Sequence, residues 1–136
     1  MENKKLKKKF YRNGYLHFKS FFMKKEINEQ YNKLKEIGNK SNLNRMINPH
    51  RKIKVILNLY KNKKIIKFVE YLLKKEIKGL QSEFFINPKG TIGHPPHQDD
   101  YFLKTGPNNS LNAWIPLVRT NNKNGALKFY LKSHLD

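Results

Sequence analysis

The chain has no cysteine, two alanines, four arginines and one tryptophan. Without cysteine there is no disulfide framework and no thiolate chemistry. No apolar run approaches the roughly 18 residues that a membrane span requires. The N-terminal MENKKLKKKFYRN lacks the apolar centre and small-residue cleavage site of a secretory signal. A cytoplasmic location is therefore the expectation. The shortage of arginine also bears on the charge, a formal +19 carried by 29 basic against 10 acidic residues. Only Arg12, Arg45, Arg51 and Arg119 are arginines; the other basic residues are lysines. Base reading and bidentate phosphate contacts lean on arginine, so no specific nucleic-acid partner is expected. Abundant Lys, Asn and Ile beside scarce Ala and Arg fit an A- and T-rich coding sequence, with nonspecific adhesion to polyanions as a by-product.

What is present is enough for one modest domain. The chain has 136 residues, 38% of them apolar and 12% aromatic, so a globular chain is expected, too short for two domains. Lys4 to Lys9 reads as a solvated basic arm. GYLHF, residues 14–18, alternates like a short strand. From about Phe22 to Ile37 the period becomes helical, with Ile27, Tyr31 and Leu34 on one face and Gly38 as the stop. Residues 39–51 read as a loop, and the apolar run 53–60 fits either helix or strand. A second helix is predicted from an Asn62 cap to Lys78, with a stripe of Ile65, Ile66, Val69, Leu72, Leu73 and Ile77 and a stop at Gly79. From Leu80 onward short apolar runs alternate with turn signals: LQSEFFI, HQDDYFL, LNAWIPLV and ALKFYL. The expected class is α+β: a mainly helical part, 1–79, packed on the first strands of a jelly roll, 80–136.

The chemistry centres on HPPHQDDYF, residues 94–102. Residues two apart on a strand share a face. His97 and Asp99 can then offer an imidazole nitrogen and a carboxylate oxygen to one ion. Two histidines and one carboxylate on one face of an octahedral ion is the donor set of non-haem Fe(II) oxygenases. The bland reading of an isolated H-x-D is a polar pair making ordinary hydrogen bonds. His94 lies three residues before His97, but the intervening Pro95-Pro96 breaks any helix that would align the two. A zinc hydrolase site built from His94, His97 and Asp99 lacks an evident further ligand and general base.

Taken in order, GYLHFKSFFMKKEINEQYNKL, HQDDYF, NAWIPL and NNKNGALKFYLKSH resemble the phytanoyl-CoA dioxygenase family over nearly the whole chain. The resemblance implies a double-stranded β-helix (jelly roll, cupin-like) and an enzyme using Fe(II), 2-oxoglutarate and O2 to hydroxylate an unactivated C–H bond of a small-molecule substrate. It makes His97 and Asp99 two iron ligands and sets Gln81, Gln98 and Trp114 near the 2-oxoglutarate pocket. His134 matches the family's turn histidine and not its third ligand. Strands of about five to six residues leave room for only two between Asp99 and His134. Arg119 follows the Trp strand, where a solvent-facing side chain is expected. The second iron histidine and the 2-oxoglutarate arginine are thus expected beyond Asp136, in a truncated form with little activity alone. An incomplete jelly roll would also self-associate through unpaired strand edges. The alternative is a noncatalytic basic module that binds nucleic acid or another polyanion.

Overall fold

The computed structural model describes residues 2–40, 45–106 and 109–135. Its first helix, α1 (Glu2–Asn13), replaces the solvated arm expected there. Leu6 and Phe10, four apart, turn a half-buried stripe toward the protein. Lys7 Nζ donates to the carbonyl of Tyr71 at 2.5 Å and Tyr11 Oη to that of Leu72 at 2.8 Å. Gly14 ends this segment at φ 82°, where a side chain would also meet the ring of His134. The strand expected at 14–18 is not formed; the segment is irregular, with Tyr15 stacked on Phe129 at 4.5 Å.

Helix α2 (Lys24–Lys40) carries the predicted stripe, with Leu34 buried and Ile27 and Tyr31 half-buried. Glu26 reaches back to accept from the Met23 backbone N–H at 2.7 Å, which anchors the helix start. Gly38 is not the stop. It lies inside the helix, where an added Cβ would stand 3.3 Å from Ile86 Cδ1, so its small size serves packing. Residues 41–44 of the expected loop lie outside the described residues. The remainder contains β1 (Arg45–Ile47) and a 3-10 turn at Pro49–Arg51.

The ambiguous run becomes α3 (Lys54–Tyr60), with Ile56 buried. Asn62 caps α4 (Lys63–Leu73) as expected, its side chain accepting from the N–H groups of Lys64 and Ile65. That helix ends earlier than predicted, at Lys74 in the left-handed region, φ 56°. Leu34, Ile56, Val69 and Leu72, one residue or two from each of three helices, form the buried apolar core.

β2 (Glu83–Phe85) pairs antiparallel with β1, Arg45 opposite Phe85 and Ile47 opposite Glu83. These two short strands make the sheet among the described residues. The mixture of helices and sheet bears out the α+β class. No jelly roll is seen among the described residues: residues 109–131 run as irregular chain and turns, and a four-residue helix, α5 (Asp100–Leu103), stands where a strand was expected. The physical reason is that a strand needs a neighbour to accept its ladder, and alternation alone supplies none. Trp114, Val118, Leu127, Phe129, Tyr130 and Leu131 are accordingly exposed.

Candidate functional site

His97 and Asp99 come together, although not by sharing a strand face. They sit at the junction of a Pro-Pro loop and α5, with Asp99 as the residue before the helix. His97 Nε2 lies 3.1 Å from Asp99 Oδ1, and both side chains are open to solvent, 42% and 46% exposed. The other ring nitrogen, Nδ1, faces the Pro95 carbonyl oxygen at 2.9 Å. A carbonyl only accepts, so Nδ1 carries a proton and donates to it. Nε2 faces the Asp99 carboxylate at hydrogen-bond distance. The second carboxylate oxygen, Oδ2, accepts from Asn112 Nδ2, which fixes the rotation of the Asp99 side chain.

These contacts test whether the residues suit the iron that the resemblance implies. Two bonds of ~2.1 Å at a right angle separate their donor atoms by ~3.0 Å. The observed 3.1 Å matches that spacing and is equally the length of an ordinary hydrogen bond; the Pro95 contact suits the tautomer that leaves Nε2 to ligate. No group of three metal-capable side chains occurs among the described residues.

The remaining expected residues are placed differently. His94 makes edge contacts with Phe85 and with His97, the ring centres of the two histidines 6.5 Å apart. Gln98 turns away and donates from Nε2 to the Ser133 carbonyl at 2.6 Å. Gln81 donates to Glu83, on the β1–β2 side of the site. Trp114 is 47% exposed and makes no ring pairing among the described residues. His134 bonds the Tyr11 carbonyl through Nε2 at 2.9 Å, so it is engaged with α1. Arg119 is exposed, and its carbonyl accepts from Asn124 Nδ2.

Three participants were not read from the sequence: Asn112, Arg45 and Glu83. Arg45 binds Glu83 bidentately, NH2 to Oε1 at 2.5 Å and Nε to Oε2 at 3.1 Å, with the guanidinium over the Phe85 ring. The Glu83 hydrogen bond chiefly holds Arg45 above its ordinary pKa, and the charges of Glu83 and Asp99 add to it. A fixed cation thus stands within electrostatic range of the Asp99 carboxylate. The only sequence signal for this was an apolar Met-Ile pair after Arg45, too short to mark a strand. Asn112, thirteen residues from Asp99, carried none.

The phytanoyl-CoA dioxygenase family model matches residues 10–136, and the chain belongs to that family. No curated protein and no solved structure matches the chain significantly. Membership supports an Fe(II)/2-oxoglutarate oxygenase type of function, with iron and 2-oxoglutarate as family-level expectations and a small-molecule substrate suggested. No helix among the described residues is long and apolar enough to cross a membrane.

Proposed function

We propose that this chain supplies part of the iron centre of an Fe(II)- and 2-oxoglutarate-dependent oxygenase, of the phytanoyl-CoA dioxygenase type, that hydroxylates an unactivated C–H bond. The observation that carries the reading is the His97 Nε2 to Asp99 Oδ1 separation of 3.1 Å, with each side chain independently oriented by Pro95 or Asn112. His97 and Asp99 hold the metal in this reading, and the metal supplies the oxidising chemistry with 2-oxoglutarate and O2. The protein's part at these atoms is to present Nε2 and Oδ1 together. The second iron histidine and a 2-oxoglutarate-binding arginine are not supplied, in this proposal, by the described residues. Gln81, Gln98 and Trp114 remain the candidates for the 2-oxoglutarate side of the pocket, though Gln98 would first have to leave Ser133.

Anaerobic equilibrium dialysis against Fe(II), followed by a 2-oxoglutarate decarboxylation assay, tests this directly. The proposal predicts weak iron retention that disappears in His97→Ala and Asp99→Ala, and little or no decarboxylation by residues 1–136. Retention indifferent to both substitutions would overturn the ligand assignment. Coupled turnover at an ordinary enzymatic rate would overturn the reading that residues 1–136 supply only part of the centre.

A further inference from the structure

The excess charge is not spread along the chain. Residues 1–79 hold 20 of the 25 lysines and residues 80–136 hold 5. Including arginines and acidic residues, the first part carries +17 and the second +2. Nucleotide bias would raise Asn along with Lys, yet Asn divides 10 to 7, in proportion to the lengths of the two parts. Helix-forming preference does not account for the asymmetry either, since glutamate suits a helix about as well as lysine. The first part has only six acidic residues.

Helix α1 concentrates this charge on one face. At 3.6 residues per turn, Lys4, Lys5, Lys8, Lys9 and Arg12 fall within about 140° of arc. All five are exposed, and none is in an ion pair among the described residues. The opposite arc, Leu6, Lys7 and Phe10, is half-buried against the protein and held by the Tyr71 and Leu72 carbonyls. The end of α4 adds Lys74 beside it: burial first, and then the Lys74 charge, hold Lys7 below the usual lysine value. Glu2 is the one acidic residue on α1.

We infer that the outward face of α1, extended by Lys74, is a docking surface for the phosphate backbone of nucleic acid. Lysines act there as point charges without base reading, so the contact is sequence-independent. A membrane-surface helix would turn apolar residues toward lipid. Here the outward arc holds cations among the described residues, with Leu6 and Phe10 turned toward the protein and Tyr11 at its border.

The test is fluorescence anisotropy of the whole 136-residue chain with labelled DNA duplexes of two unrelated sequences over a range of salt. One variant replaces Lys4, Lys5, Lys8, Lys9 and Arg12 with Gln. A control replaces the exposed Lys24, Lys25, Lys33, Lys35 and Lys54, removing equal charge elsewhere. The expected result is equal affinity for the two duplexes, and a salt slope about 4 units shallower in the α1 variant than in wild type. The control variant should lose several-fold less affinity than the α1 variant. Should the fivefold variant lose its helical circular dichroism, Lys8→Gln/Arg12→Gln is expected to lower the slope by about 2. Equal losses in the α1 and control variants would overturn the inference, as would binding to phosphatidylserine vesicles without binding to duplex.

Discussion

Asn112 donates from its side-chain amide to Asp99 Oδ2, leaving Oδ1 turned to His97 Nε2 at 3.1 Å. The carboxylate is thereby oriented from one side by an amide thirteen residues away and faces imidazole on the other. Groups that orient metal ligands commonly change metal affinity by 10–100-fold when removed. Asn112→Ala should therefore weaken Co(II) binding about tenfold while the melting temperature changes little, because Asn112 is exposed. Calorimetric titration beside a thermal melt separates the two effects; an unchanged affinity would remove Asn112 from the site.

Gly79 offers a second prediction, independent of any metal. An ideal Cβ there would clash with Tyr60 Oη and Cζ, so the tyrosine ring must move if any side chain is added. That ring is stacked on His50 at 4.1 Å, and His50 Nδ1 lies 2.6 Å from Ser82 Oγ. Gly79→Ala should destabilise the protein by about 1–3 kcal/mol, the usual cost of overpacking. Adding Tyr60→Ala should make the Gly79→Ala step close to neutral. A urea-denaturation double-mutant cycle with additive effects would contradict the contact.

Acid sensitivity should centre on α5. Hydrogen bonds from Thr105, the side chain first and then the backbone N–H, hold Asp100 below the ordinary carboxylate range. A carboxylate whose folded pKa is depressed contributes stability above its unfolded pKa and loses that contribution as pH falls through the folded value. Thr105→Val removes the largest cause, so Asp100 should titrate at higher pH than in wild type. Carbon-13 NMR of the Asp100 carboxyl checks this, and an unchanged midpoint would show that the side-chain bond has no such effect.

The helical part was legible because its signals are local. The Asn62 cap and the Ile27, Tyr31 and Leu34 stripe depend on neighbours within four residues, and both form. Helix stops were harder to read. Gly38 and Gly79 look like terminators but answer to Ile86 and Tyr60, side chains far away in sequence. The α1 segment looked like a free arm because its lysines hide a two-residue apolar stripe, and because the α4 carbonyls that Lys7 and Tyr11 bind lie more than sixty residues away.

For the site, the legible part was the pairing of His97 with Asp99, while the reason first offered for it differed from the structure. A shared strand face was expected; a loop entering α5 brings them together instead. Arg45, Glu83 and Asn112 were invisible because their relation to Asp99 depends on β1–β2 pairing and on chain return from residue 112. Gln98 was legible as a residue but not in its direction, since Ser133 captures its amide from 35 positions away.

The central claim, that His97 and Asp99 bind one metal ion together, is tested most directly by a Co(II) titration followed in the visible spectrum. Wild type should be compared with Asp99→Asn and with Asp100→Asn, the adjacent carboxylate bound to Thr105. The account predicts saturable Co(II) bands in wild type and Asp100→Asn, and their loss in Asp99→Asn and His97→Ala. Bands that persist in Asp99→Asn, or vanish equally in Asp100→Asn, would contradict it.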